Sequence, residues 1–153
     1  MNNEELKQKI STISPAAELS EEGSEFLNVT VNPENLRSLA EQLRNKEDLN
    51  FDFMFCLTAV DWVTHFTVVY HLTSTKLNHK IVMKAKITDR ENPAVDTICD
   101  IWRTAEFHER EVYDLFGIKF NNHPDLRRIL LEDDWVGFPL RKDYKDEANI
   151  VEL

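Results

Sequence analysis

Hydrophobic and polar positions in the middle of the chain follow a pattern that predicts four β-strands. Residues 26–31, 51–62, 66–73 and 80–87 are rich in β-branched and aromatic side chains, which favour strands. In the last run apolar residues alternate with lysines, and this alternation predicts a sheet with one solvent-exposed face. The short intervals between the last three runs favour antiparallel hairpins.

Two Asn-Pro pairs mark the expected starts of two helices, since Asn accepts from the first free N–H groups and Pro suits the first helical position. Asn32-Pro33 precedes one apolar stripe, and Asn92-Pro93 opens a longer one that ends at Gly117, a residue suited to a left-handed cap. The stripes are Leu36, Leu39, Ala40 and Leu43, then Val95, Ile98, Trp102, Ala105, Val112, Leu115 and Phe116. We therefore predict an α+β fold with two layers, a mostly antiparallel four-stranded sheet with helices on one face.

Composition divides the chain into three segments. Residues 1–25 are acidic, and a short apolar repeat there fits either an amphipathic helix or a frayed terminus. Residues 26–118 form the predicted α+β domain. Residues 119–146 show neither sustained periodicity, yet they keep too many large apolar side chains for a solvated disordered segment. We expect residues 119–153 to form an extended C-terminal tail that docks on a partner.

Charge and residue counts exclude several classes of function. The 153 residues carry a formal net charge of −10, which argues against a general nucleic-acid-binding protein. Two cysteines, Cys56 and Cys99, are too few for an iron–sulfur cluster or a four-cysteine zinc site. Three glycines and no GxGxxG or P-loop pattern give no phosphate-binding loop. No apolar run reaches the roughly 20 residues of a membrane-spanning helix, and the charged first residues do not resemble a secretory signal.

Several motifs resemble a known protein family. They are EREVYDLFGI (109–118), HPDLRRIL (123–130), the pattern DW-G-PLRKDY (134–144), LTAVDW (57–62) and VVYHL (68–72). With them, residues 26–145 resemble the C subunit of the respiratory NADH–quinone oxidoreductase (complex I), the family whose mitochondrial member is the thirty-kilodalton subunit. Glu132, Phe138 and Lys145 depart from the usual family pattern, and they affect the expected path of the tail more than its role.

The resemblance implies a non-catalytic subunit of the hydrophilic arm of an enzyme complex. That complex transfers electrons from NADH to quinone and couples this transfer to ion translocation. The chain would bind no cofactor or metal itself, whereas the whole complex would hold FMN, iron–sulfur clusters and quinone. Its tail would pack on the large quinone-site subunit, near the small subunit that holds the terminal cluster. It would lie at the cytoplasmic face of the bacterial inner membrane, with only indirect membrane contact.

The expected family motif and partner interface lie between residues 109 and 144. Their members are Glu109, Arg110, Glu111, Asp114, Gly117, His123, Pro124, Arg127, Arg128, Trp135, Gly137, Pro139, Leu140, Arg141, Lys142, Asp143 and Tyr144. The residues themselves support an interface, because arginine and aromatic side chains are frequent anchors between proteins. Acidic neighbours neutralise the basic pairs locally, so a nucleic-acid patch is not expected.

Glu109 lies where the apolar stripe of the last helix needs a hydrophobic residue. A carboxylate buried there requires a charged or multiply hydrogen-bonded partner, and we expect Arg127, Arg128 or an arginine of a partner. We also expect Arg110 to form an intrahelical charge ladder with residues 106 and 114. The run from 108 to 111 lacks the second histidine of HExxH, so no metal or acid–base site is expected.

Three other interpretations stay open from the sequence. The chain could be the equivalent subunit of a related membrane-bound hydrogenase or photosynthetic-type dehydrogenase, which neighbouring genes would distinguish. It could be a free-standing enzyme that uses the carboxylates near residues 108–111, which turnover by the pure chain would favour. It could also be a stand-alone adaptor, which a tail that docks on an unrelated protein would favour.

Overall fold

A five-stranded sheet lies at the centre of the fold in the computed structural model, which describes residues 1–146. Its strands are β1 (Glu18–Ser20), β2 (Leu27–Val31), β3 (Phe53–Asp61), β4 (Phe66–Ser74) and β5 (His79–Ile87). They lie in the order β1-β2-β5-β4-β3, with β2 and β5 parallel and the other neighbours antiparallel. The α+β class and the mostly antiparallel sheet are confirmed. The strand number of the central sheet was wrong by one, because the three residues of β1 are too few to show a period.

Helices and a second small sheet complete the fold. The helices are α1 (Asn3–Ile13), α2 (Pro33–Asn45) and α3 (Ala105–Phe116), and β6 (Ala94–Asp96) pairs in parallel with β7 (Lys119–Asn121). The two possibilities left open for the N-terminus resolve to a helix, whose Asn2 and Glu5 form a capping box. Residues 147–153, the end of the predicted tail, lie outside the described residues.

The long helix predicted from Asn92 was wrong over its first half. Residues 94–96 form β6 instead, because they pair with a strand that follows α3 in the sequence, and such a long-range pairing overrides a local helical period. The apolar residues of the predicted stripe are nevertheless mostly buried. Helix α2 begins at Pro33 as expected, although the Asn32 side chain makes no capping hydrogen bond. Gly117 ends α3 in the left-handed conformation, with φ of 72°.

Side chains in and just before α3 cover the edge strand β3. Trp102 Nε1 donates to the Phe51 carbonyl (2.9 Å), and Thr104 Oγ1 donates to the Met54 carbonyl (2.7 Å). The Leu57 N–H donates to His108 Nδ1 (3.3 Å). The contacts to Met54 and Leu57 satisfy backbone groups that an edge strand leaves free, and the contact to Phe51 lies just before that strand. Together they fix α3 in the position from which it holds the tail. Within residues 1–146 none of the helices has the length and apolar character needed to cross a membrane.

Candidate functional site

The buried carboxylate of Asp114 on α3 fixes the start of the tail. Its Oδ2 accepts from the N–H groups of Ile129 (3.2 Å), Leu130 (2.7 Å) and Leu131 (3.0 Å), and its Oδ1 accepts from Arg128 Nη1 (2.9 Å). Burial alone would raise the pKa of Asp114, but these hydrogen bonds and the guanidinium hold it below its ordinary value. The carboxylate therefore stays charged and binds three successive backbone amides.

Two arginines join α3 to the tail through backbone carbonyls. Arg110 on α3 donates to the carbonyls of Arg127 (3.1 Å) and Arg128 (3.0 Å). Arg128 donates onward to the carbonyls of Trp135 (3.1 Å) and Gly137 (2.9 Å). The ladder predicted for Arg110 with residues 106 and 114 was wrong, because Arg110 donates to carbonyls of the tail and Asp114 accepts from Arg128.

A second buried carboxylate, Asp61 at the end of β3, holds the far part of the tail. Arg90 donates to both of its oxygens (2.5 and 3.1 Å), and the N–H of Lys142 donates to Oδ2 (2.9 Å). The Arg90 guanidinium and these amide hydrogen bonds lower the pKa of Asp61 well below its ordinary range. Asp61 was not predicted as an anchor from the sequence. The signal that could have revealed it was a carboxylate at an inward position of an otherwise apolar strand.

The left-handed Gly117 lies beneath the returning tail. Arg141 Nε donates to the Phe116 carbonyl (2.5 Å), and the Leu140 N–H donates to the Leu115 carbonyl (3.0 Å). A Cβ at Gly117 would lie 2.5 Å from the Phe138 ring and 2.8 Å from Arg141 Nη2. The glycine is thus required both by its φ and by the close approach of the tail.

Replacing Gly117 by Ala should destabilise the chain by about 2 to 3 kcal/mol, from the left-handed strain together with overpacking against Phe138. Gly23 offers a matched control, because it has φ of 70° but nothing within 4 Å of an added Cβ. Gly23→Ala should cost only about 1 kcal/mol. Urea unfolding of both variants checks this, and equal losses would show that the tail does not press on Gly117.

Large apolar side chains remain exposed although the tail backbone is fixed. Leu130 is 64% exposed and Val136 is 87% exposed, and Phe107, Ile129, Trp135 and Leu140 are exposed as well. We call these six residues the apolar strip. Their side chains are left in contact with water, which is typical of surfaces that bind other proteins.

The structure brings some of the predicted interface residues together and leaves others apart. Arg110, Asp114, Gly117, Arg128 and Arg141 meet where the tail crosses α3. Along the tail, Gly137 packs against the ring of Tyr144, Asp143 lies 3.9 Å from Arg90, and Arg127 pairs with Asp125. Pro124 and Leu140 are exposed, Pro139 is half-buried, and Glu111 is exposed on α3. Their role in binding a partner stays a prediction.

The partner predicted for Glu109 was wrong. Its side chain is fully buried, and it accepts from the Ile98 N–H (2.9 Å) and from Thr97 Oγ1 (2.5 Å). Arg128 pairs with Asp114 instead, and complete burial leaves no access for an arginine of another subunit. Burial raises the pKa of Glu109 to about 7, against the hydrogen bonds from Ile98 and Thr97.

Cys99, Glu109 and His123 form a cluster that the sequence did not reveal, with ligand-type atoms all within 4.8 Å of one another. His123 Nδ1 accepts from the Asp125 N–H (3.0 Å), so Nε2 carries the proton and donates to the Glu106 carbonyl (2.9 Å). Both ring nitrogens are thus engaged, and a metal ion would have to break one of these bonds. Within the cluster His123 Nε2 lies 3.7 Å from Glu109 Oε2, and both side chains make their hydrogen bonds to residues outside it. Glu111 is exposed on α3.

Comparison with known proteins places the chain in a family. Residues 29–149 match the family described as respiratory-chain NADH dehydrogenase, 30 Kd subunit. The NADH-quinone oxidoreductase C subunit of Roseiflexus castenholzii is 40% identical over 149 residues, which cover 94% of this chain and 84% of the relative. The C/D subunit of Phocaeicola vulgatus is 48% identical over 74% of this chain, but this chain spans only 22% of that longer protein.

A solved structure shows the same fold. One chain of the membrane-bound sulfane sulfur reductase, an archaeal respiratory membrane complex, superposes with a TM-score of 0.80 and 29% identity. The match covers 95% of this chain and 86% of the other. Motifs, fold and relatives agree, and the chain belongs to the family of the 30 Kd subunit of respiratory-chain NADH dehydrogenase, which includes the C subunits of NADH–quinone oxidoreductase.

Proposed function

We propose that the chain is a non-catalytic structural subunit of NADH:quinone oxidoreductase, and that its tail docks on the large quinone-site subunit. The observation that carries this proposal is the apolar strip, which lies on the tail apart from Phe107 on α3, together with the anchoring of the tail backbone at Asp114 and Asp61. The tail binds its partner through Leu130, Trp135, Val136 and their neighbours. Arg110 and Arg128 fix the tail backbone through hydrogen bonds to its carbonyls.

Anchoring before binding favours a strong contact. An unstructured segment would lose conformational freedom when it docks, and that loss would weaken the complex. Here three successive amides are already bound to Asp114, and Lys142 is already bound to Asp61. The exposed apolar side chains are therefore presented in a fixed arrangement.

The longer relatives support the choice of partner. The C/D subunit of Phocaeicola vulgatus joins a segment like this chain to a much longer remainder in one polypeptide. A covalent link of this kind keeps the C-like and D-like parts close together. We assign the large quinone-site subunit to the D-like part, with the small terminal-cluster subunit as a further neighbour.

In this proposal the chain supports electron transfer from NADH to quinone, coupled to ion translocation, without binding a redox group. FMN, the iron–sulfur clusters and the quinone belong to other subunits of the complex. The chain would be peripheral, at the cytoplasmic face of the bacterial inner membrane, and would touch the membrane only through its partners.

Replacing Leu130 and Val136 together by Glu should abolish recovery of the chain with the complex and leave its own fold intact, because both side chains are already exposed. Affinity purification from detergent-solubilised membranes, followed by an NADH–quinone reductase assay, measures this. Leu77→Glu is the control. Leu77 is exposed in the turn between β4 and β5, whereas Asp61 pairs with Phe66 at the other end of β4. Normal recovery of the double variant would contradict the proposal.

A second candidate is the equivalent subunit of a related respiratory membrane complex. The structural match to a chain of the sulfane sulfur reductase favours it. The higher identity to the C subunit of Roseiflexus castenholzii, over nearly the whole chain, favours NADH:quinone oxidoreductase. The two are separated by the proteins that purify with the chain, since flavin and NADH oxidation would accompany only the first.

A further inference from the structure

The face of the central sheet that points away from the core carries lysines and no acid on four of its strands. Lys80, Lys84 and Lys86 occupy outward positions of β5, beside His71 on β4. The outward positions of β2 to β5 include neither Asp nor Glu, although Glu22, in the loop after β1, lines one depression beside Lys84. This face is therefore positive on a chain whose net charge is −10.

The charges of these lysines are not neutralised within the described chain. Among residues 1–146 no carboxylate oxygen lies within 4.0 Å of any of the three ammonium groups. The neighbouring histidines respond to this positive charge. Burial lowers the pKa of His71, and Lys84 lowers it further. Burial also lowers the pKa of His65, with added effects from Lys86 and Arg90.

The same face has a groove that is mostly polar at one end and more apolar at the other. Two depressions of about 390 and 200 Å³ share Thr30, Val69 and Lys84 in their walls, so they meet end to end. Val82 lies in the first and Val60 in the second, and the exposed ring of Trp62 borders the second. A concave, elongated surface suits an extended chain segment better than the flat surface of a membrane.

We infer that this groove binds an extended acidic segment of a neighbouring subunit, whose carboxylates pair with Lys84 and Lys86 and whose apolar side chains cover Val60 and Trp62. From Lys80 to Lys86 the strand rises about 20 Å, the length of six or seven extended residues. Complementary charges across such a contact give specificity and speed association. The groove does not include the apolar strip, so this contact is independent of the tail contact of the proposed function.

Carbodiimide coupling of the purified complex tests the inference, because this reagent joins only a lysine amine and a carboxylate already in contact. We expect mass spectrometry to find amide links from Lys84 or Lys86 to an Asp or Glu of another subunit. The Lys84→Arg/Lys86→Arg variant keeps both charges but lacks the amines, so it should assemble normally and lose the links. Lys84→Glu/Lys86→Glu should reduce recovery with the complex, whereas Lys76→Glu, at an exposed turn, should not.

Three results would overturn the inference. Links from these lysines only to acids of the same chain would show that the chain covers its own groove. Complete absence of links in an assembled complex would show that no carboxylate occupies it. Sedimentation of the isolated chain with phosphatidylserine vesicles, lost in the double Glu variant, would assign the face to a membrane. These tests are independent of the proposed function. If the Leu130→Glu/Val136→Glu variant assembled normally, the tail contact would be contradicted, but the crosslinks expected from Lys84 and Lys86 would not change.

Discussion

Replacing Asp114 by Ala is expected to release the tail from α3 and to lower the free energy of unfolding by about 3 to 5 kcal/mol. The carboxylate is fully buried and binds the Arg128 guanidinium together with three backbone amides. Its removal leaves a mostly buried cation and three N–H groups without their acceptor. Such groups lose their hydration on folding and regain no hydrogen bond in exchange.

Urea unfolding and hydrogen exchange at the amides of residues 129–131 measure both parts of this prediction. Asp134→Ala is the matched control, because Asp134 is an exposed acid of the same tail, and we expect it to change the stability by less than about 0.5 kcal/mol. Protected amides at 129–131 in the Asp114 variant would show that the tail is held by other contacts.

Replacing Glu109 by Gln is expected to stabilise the chain above pH 7 by about 3 kcal/mol. The folded pKa of about 7 exceeds the ordinary value of 4.5, so the folded state favours the protonated form. The stability contributed by protonated Glu109 is complete below pH 4.5 and is lost as the pH rises through about 7. Gln resembles the neutral acid and can still accept from the Ile98 N–H, so it removes this loss.

The difference in unfolding free energy between the Gln variant and the natural chain, measured from about pH 4 to about pH 9, tests this prediction. We expect the difference to grow across the interval from 4.5 to about 7 and then to stay constant. Glu111→Gln, on the exposed side of the same helix, controls for the loss of one negative charge. A difference independent of pH would contradict a buried, protonated Glu109.

Local patterns predicted those parts of the fold that local forces determine. β5 and α2 were found from their own periods, because burial of one face dictates the spacing of their apolar residues, whereas β3 and β4 were found from their β-branched and aromatic content. β6 was mistaken for helix, since its conformation depends on β7, which lies beyond α3 in the sequence. The three-residue β1 was missed because it carries too few positions for any period.

The pairings within the candidate site could not be predicted from the sequence. The interface expected between residues 109 and 144 stays a prediction, and the buried carboxylate that pairs with Arg128 is Asp114, not the expected Glu109. Both Glu109 and Asp114 lie on buried positions of that helix, and helical spacing cannot tell which of them meets Arg128. The path of the tail decides it, and Gly117, Asp61 and Arg90 together set that path.

Photocrosslinking in the native complex tests the docking of the tail most directly. A photoreactive phenylalanine analogue introduced at Leu130 should crosslink the chain to the large quinone-site subunit on illumination, and the same analogue at Leu77 should not. This result would locate the apolar strip at the proposed contact. A crosslink from position 130 to a different subunit, or none in an assembled and active complex, would contradict the proposed docking surface.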